Sequence, residues 1–352
     1  MYGLHVGRVM GEIDVRSQWA KIRNFEKGFF ATHLINIGAK LGVFEALYEV
    51  KEGMTIPDLA SKLKLHEPYL KIWCQTAYHY EILDCDDQVR FRLQPFLDEI
   101  LGDKSHYRNY LANITMSVDF IGKGFGGVPD YFRTGRTLET LYTNEFSKIA
   151  YETTKNTYLL FLSRILPKNE HLNQKLERGI KLLDIGCGRG DLIIQLAQNF
   201  QNSVFVGVDP NPNGIEEARN TILQLGLEKR VSVEKIGGDA LPYSDEFDMA
   251  NMVVTLHEIP PDVRIKVVEK AYRALKSDGQ LLILDFSYPS KLEDFRNPTY
   301  DYGILDQFYE VVTGTIHLSM DEQNALLTRV GFRNIQRMAI GRGMFEFITA
   351  TK

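Results

Sequence analysis

The segment Lys181-Leu-Leu-Asp-Ile-Gly-Cys-Gly-Arg-Gly-Asp191 does most to limit the fold: an apolar run of strand length meets three glycines at alternate positions and then a helical pattern. Such a turn needs backbone without Cβ atoms, and it leaves the unpaired N–H groups of a helix start facing whatever rests on it. From residue 180 onward, strand-like runs at 181–185, 204–208, 231–236, 247–254 and 280–286 alternate with helical patterns, and a last helix is expected over 319–330. That alternation predicts an α/β fold with a mostly parallel sheet and helices on both faces. The runs at 333–340 and 345–352 follow each other too closely for a helical crossover, so the final strand is expected to be antiparallel.

A chain of 352 residues is longer than a single hydrophobic core usually grows, so a second core is sought upstream. Apolar positions from Phe29 to Leu47 recur at helical spacing and predict one long amphipathic helix that needs a partner surface. Thr55-Ile-Pro-Asp58 reads as a capped helix start, a further helix is expected over 67–80, and 82–93 reads as two short strands around an acidic turn. Helices followed by a hairpin outline a winged helix. Residues 104–165 are helical in pattern and rich in aromatics, among them Tyr107, Phe125, Phe132, Tyr142, Tyr151 and Tyr158, with a bend expected at the glycines of 122–127. The expected organisation is therefore a helical winged-helix domain over 1–103, an aromatic-rich helical cap over 104–178 and an α/β domain over 179–352.

The glycine loop alone suits several nucleotide cofactors, and its spacing narrows the choice. A dinucleotide fingerprint would need glycine at 191, where this chain has Asp191. A carboxylate there repels a diphosphate but suits S-adenosylmethionine (SAM), which carries a sulfonium and an ammonium group and no phosphate. Asp184 and Asp191 fit that cofactor. Asp209, with Pro210 after it, ends the next strand about 20 residues on, where a carboxylate can accept both ribose hydroxyls. After the third strand come Gly238, Asp239 and Ala240, with Asp239 placed to accept from an adenine amino group. The expected cradle is Asp184, Gly186, Gly188, Gly190, Asp209, Pro210, Gly238, Asp239 and Ala240.

With D-I-G-C-G-R-G, G-V-D-P, G-D-A-L-P, F-D-M-A-N-M-V-V and A-L-K-S-D-G-Q-L-L-I-L-D-F in this order, the region 180–352 resembles class I SAM-dependent methyltransferases, whose sheet is Rossmann-like. The upstream region resembles the winged-helix domain of small-molecule O-methyltransferases of the plant type and their bacterial relatives, the latter through M-T-I-P-D-L-A and H-E-P-Y-L-K. The resemblance implies a homodimer formed through the N-terminal helices, with the winged helix serving dimerisation and not DNA reading.

Methyl transfer requires an acceptor placed for in-line attack, and a hydroxyl acceptor also requires proton removal, for which histidine is suited. His257, followed by Glu258, lies just after the fourth strand, where ligands of open α/β sheets bind. In the plant-type enzymes this position holds a catalytic His within His-Asp-Trp; here the sequence is His257-Glu258-Ile259, without the tryptophan. Tyr300, Tyr302, Phe308 and Tyr309, in a long connection after the fifth strand, are expected to line an aromatic or lipophilic acceptor pocket. His33, His79 and His317 lack partners at metal-ligand spacing, so no metal is expected.

A net charge of −5 gives no pull toward nucleic acid, and no apolar run approaches the roughly 20 residues of a membrane span. Three scattered cysteines and the lack of a signal-like N-terminus point to the cytoplasm. Two other readings stay open: a C- or N-methyltransferase of secondary metabolism, and a winged-helix DNA-binding regulator that responds to SAM. The second is weakened by the single lysine in its candidate recognition segment, 66–79.

Overall fold

A computed structural model describes residues 13–135 and 144–352. Tyr142 of the aromatic stretch and the first twelve residues lie outside them. The chain forms two compact units, divided between Asp119 and Phe120. The aromatic stretch expected as one cap is thus shared between the two units.

In the first unit the predicted long helix is two. Helix α1 (Val15–Lys40) ends before Gly42, whose φ of +72° turns the chain into α2 (Val43–Glu49). The hydrophobic period runs on through this break, which is why periodicity alone did not reveal it. Helix α3 (Ile56–Leu63) starts on the Thr55 side chain, which accepts the Asp58 N–H, with Pro57 in its first turn; α4 (Glu67–His79) follows. Strands β1 (Leu83–Cys85) and β2 (Phe91–Leu93) pair antiparallel, with Leu83 opposite Leu93. Phe44, Leu47, Leu59, Trp73 and Leu83 form the core of this unit, and the Trp73 indole N–H donates to the Leu34 carbonyl at 3.0 Å. The short helix α5 (Leu111–Thr115) closes it. Outside that core, α1 leaves Trp19, Ile22, Phe25, Phe29 and Phe30 more than half exposed.

The second unit begins with α6 (Gly122–Gly124), α7 (Val128–Thr134), α8 (Asn144–Leu160) and α9 (Glu170–Arg178). Then come β3 (Lys181–Ile185), α10 (Asp191–Asn199), β4 (Val204–Val208), α11 (Pro212–Gln224), β5 (Val231–Glu234), β6 (Phe247–Val253), α12 (Pro261–Ala274) and β7 (Leu275–Phe286). Helices α13 (Asp301–Glu310) and α14 (Met320–Val330) precede β8 (Arg333–Ile340) and β9 (Phe345–Thr351). One seven-stranded sheet results, in the order β5-β4-β3-β6-β7-β9-β8. The five strands from β5 to β7 are mutually parallel, and β9 runs antiparallel to both β7 and β8. The sheet is therefore the predicted mostly parallel one with an antiparallel end.

Strand β3 is central, and its residues alternate between two cores: Leu182 packs on one face with Phe205 and Leu284, Leu183 on the other with Phe247 and Val268. Covering both faces is what makes β3 and β6 continuous apolar runs. Because β4 and β5 extend the sheet on one side of β3 while β6 adds on the other, a crevice opens past the carboxyl ends of β3 and β6. Among the described residues no helix is long and apolar enough to cross a membrane, and all three cysteines are free.

Leu183 is fully buried at the centre of this sheet. Leu183→Ala is expected to lower unfolding stability by about 2–5 kcal/mol, read as a shift of the urea midpoint.

Candidate active site

Four loops, each following a parallel strand, converge on a cavity of about 400 Å³. Gly186 and Gly188 come from the turn after β3, Asp209 and Pro210 from the end of β4, Gly238 and Asp239 from the turn after β5, and Thr255 and Glu258 from the segment after β6. Tyr151 and Tyr158 add aromatic surface from α8. The turn after β3 demands glycine for two different reasons. At Gly186, with φ of +78°, a Cβ would run into the Thr255 side chain; at Gly188, with φ of +53°, the missing side chain leaves open space.

Asp209 ties two strand ends together. Its Oδ2 accepts the Gly188 N–H at 2.9 Å and its Oδ1 accepts the Asn211 N–H at 2.8 Å. Burial raises its pKa above the ordinary carboxylate range, and these two donors oppose the rise. Asp191 opens α10. The Tyr151 hydroxyl donates to its Oδ1 at 3.1 Å, while its Oδ2 is buried without a hydrogen-bond donor. Burial raises this carboxyl as well. The Arg189 guanidinium lies 4.1 Å from the Tyr151 ring centroid and pairs with Glu217 at 2.6 Å, so it holds the tyrosine, and its charge opposes the rise of the Asp191 carboxyl. A buried carboxylate oxygen without a donor is costly, and a ligand carrying N–H groups relieves it.

Three members of the expected cradle do not line the cavity. Asp184 is buried between β3 and β6, where its Oδ1 accepts from the Asn251 side chain at 2.7 Å and burial pushes its pKa up to about 7. Gly190 caps α10 with a left-handed φ of +73°, and its carbonyl accepts the Ile194 N–H at 2.9 Å. Ala240 points to solvent. The loop spacing fits all three; side-chain direction removes Asp184 and Ala240, and helix capping accounts for Gly190.

His257 is buried and does not line the cofactor cavity, although the next residue, Glu258, does. The His257 Nδ1–H donates to Asp285 Oδ1 at 2.5 Å, and the Asp285 carboxylate also accepts the His257 backbone N–H at 3.1 Å. The opposite nitrogen, Nε2, faces Glu310 at 3.8 Å and Asp306 at 4.0 Å. Burial disfavours charge on this imidazole, but the Asp285, Glu310 and Asp306 carboxylates outweigh it and hold its pKa well above the ordinary value.

The acceptor-pocket residues divide. Tyr302 packs into the interior against Phe286 and Phe345, at centroid distances of 5.0 and 6.2 Å. Phe308 is exposed and lies near the Phe125 and Phe132 rings, at 6.1 and 6.4 Å. Tyr300 and Tyr309 are half-buried, and none of the four lines the cofactor cavity. The expectation that His317 has no partners is corrected: its Nε2 lies 3.2 Å from Asp306 and 3.4 Å from Glu310. Those carboxylates are one turn apart on α13, and the chain reverses at Gly314 to bring His317 back to them. Sequence reasoning also missed Tyr151 as the partner of Asp191; only its place among the aromatics of 104–165 hinted at a pocket.

Residues 182–279 match the methyltransferase-domain family. A ubiquinone/menaquinone biosynthesis C-methyltransferase from Rickettsia bellii is 24% identical over 235 residues, covering 61% of this chain and 93% of the relative. Among solved structures, human N-acetylserotonin methyltransferase in complex with SAM aligns with a TM-score of 0.72 at 17% identity, covering 97% of this chain and 99% of that one. The pyocyanin biosynthetic protein PhzM aligns at 0.71 and 15% identity, covering 95% and 99%. An O-methyltransferase family protein from Burkholderia thailandensis aligns at 0.70 and 14% identity, covering 95% and 97%. With the strand order, the glycine turn and the matched domain in agreement, the chain is a SAM-dependent methyltransferase of class I fold.

Proposed function

We propose that the chain methylates an oxygen of a small aromatic or lipophilic molecule, with the cofactor held in the cavity at the ends of β3 to β6. The observation that carries this reading is the buried Asp191 Oδ2, which lacks a donor beside a cavity lined by bare glycine backbone. Asp191 receives the ammonium group of the cofactor. Asp209 keeps lone pairs for the ribose hydroxyls beyond its two amide bonds, and Asp239 with Gly238 borders the adenine. Bound SAM supplies an electrophilic methyl group on a sulfonium. The chain's own residues hold the acceptor in line and exclude water.

Glu258 borders the methyl side of the cavity, and His257 acts on the acceptor as part of the group it forms with Asp306, Glu310 and His317, not as an isolated base. Phe308, Phe125 and Phe132 form an apolar surface suited to an aromatic acceptor. Several solved structures of similar fold are O-methyltransferases by description, which favours oxygen. The curated relatives described as C-methyltransferases support carbon as the second reading. We further propose a cytoplasmic homodimer joined through the exposed apolar face of α1, since an apolar patch of that kind normally marks an interface.

Incubating the protein with isotope-labelled SAM and a panel of phenols should yield labelled methyl ethers by NMR; label on carbon instead would move the assignment to the second reading, and no acceptor-dependent turnover on any panel would overturn it. His257→Ala should lower turnover by more than about 100-fold with affinity for S-adenosylhomocysteine retained.

Asp191→Asn should weaken S-adenosylhomocysteine binding by about 10- to 100-fold in calorimetry. Because the Asp191 pKa is raised, wild-type affinity should begin to fall on acidification at a pH above the usual carboxylate range, as the anion that pairs with the ammonium is lost. That pH dependence should flatten in the variant.

Light scattering should report a dimer for the wild type and a monomer for the double variant Trp19→Asp, Phe29→Asp.

A further inference from the structure

Beside the cofactor cavity, four side chains from three separate segments turn their ligand atoms toward one point. His257 follows β6, Asp306 and Glu310 lie one turn apart on α13, and His317 follows the Gly314 reversal. One ligand atom from each lies within 4.8 Å of every other. The two histidines are almost wholly buried, and the two carboxylates are largely so. The measured separations are 3.2 and 3.4 Å from His317 Nε2 to Asp306 and Glu310, and 4.0 and 3.8 Å from His257 Nε2 to the same residues. A first-row ion with bonds of about 2.0–2.2 Å sets neighbouring donors roughly 3 Å apart and opposite donors roughly 4 Å apart. The cluster has those dimensions.

Two further observations bear on what the cluster can hold. Asp306 Oδ2 is buried and accepts no hydrogen bond, although His317 Nε2 is only 3.2 Å away. The same His317 nitrogen lies within hydrogen-bond distance of Glu310 Oε2, at 3.4 Å. Meanwhile His257 Nδ1–H is committed to Asp285, which leaves the Nε2 lone pair of that tautomer toward the cluster. A carboxylate behind a histidine, fixing which nitrogen is free, is the outer support that metal-ligating imidazoles require. Glu310 is supported likewise, accepting from the Thr315 hydroxyl at 3.2 Å.

We propose that His257, Asp306, Glu310 and His317 bind one divalent first-row transition-metal ion. Two imidazole nitrogens and two carboxylate oxygens suit iron(II), cobalt(II), zinc or manganese(II), and not the soft ions that demand thiolates. An octahedral ion with four protein donors keeps about two positions for oxygen donors from outside the chain. The site adjoins Glu258, which lines the cofactor cavity, but none of the four ligands does, so those positions are left to water or another small oxygen donor. A cation there also balances the negative charge of two carboxylates packed together in the interior. The metal reading rests on the same four residues to which the proposed function gives a part in handling the acceptor, and not on which atom is methylated.

The test is metal uptake by the full-length, chelator-stripped protein, followed by calorimetry and by the visible absorption of cobalt(II). One equivalent of cobalt(II) per chain is expected, displaced by zinc. Uptake should weaken by more than about 100-fold in His317→Ala and in Asp306→Asn. S-adenosylhomocysteine binding, which depends on Asp191 and not on this cluster, reports that each variant is folded; if either loses it, Glu310→Gln replaces that variant. Absence of saturable one-equivalent uptake of both metals, or uptake unchanged in folded variants, overturns the proposal. Because S-adenosylhomocysteine binding is read separately, loss of metal binding is distinguishable from failure of the methyltransferase reading.

Discussion

At the end of β4 a buried carboxylate receives two backbone N–H groups, one from the glycine turn after β3 and one from its own loop. Through this contact the Asp209 side chain ties the glycine turn to the end of β4, in addition to the backbone ladder between β3 and β4. Glycine is required at 188 by its positive φ, and at 186 because Thr255 fills the space a side chain would need. Burial acts against the charge of Asp209, so the amide donors are what keep a carboxylate there useful to a polar ligand.

The site is organised by how buried charge is compensated. Asp184 sits deepest, answered by the Asn251 amide. Asp209 is answered by backbone, and Asp191 only on one oxygen, by Tyr151. The sequence of decreasing compensation leads from the sheet interior toward the cavity, which leaves the least satisfied carboxylate oxygen where a cationic ligand can reach it. A second group of buried charges stands around His257, where three carboxylates and a second imidazole surround one ring. Both groups lie at the carboxyl ends of parallel strands, the place where strand-end loops gather in sheets of this order.

The strands of the second unit were legible within a few residues, because two covered faces impose long apolar runs and the glycines mark their ends. Strand β7 begins earlier than expected, at Leu275, since Leu275 pairs with Phe247 across a register shift that no pattern of hydrophobicity announces. The break between α1 and α2 was hidden by a hydrophobic period that continues through Gly42. Asp209, Asp239 and the first two glycines of the turn line the cavity where their spacing suggested, because a strand end or a tight turn determines where they point. Asp184 was misplaced because its side-chain direction depends on the neighbouring strand β6, which supplies Asn251.

What the sequence by itself determined is the fold class, the position of the cofactor turn and the order of the loops around it, since these follow from short-range periodicity and from the backbone freedom of glycine. What only the tertiary structure decided is which charged side chains meet. Asp306 and Glu310 read as part of an aromatic connection, and His317 as a lone histidine, until α13 and the reversal at Gly314 brought them to His257 from about 50 residues away in the chain. Spacing along a chain carries no record of such meetings, because they are set by how helices pack onto the sheet and not by any local preference of the residues involved.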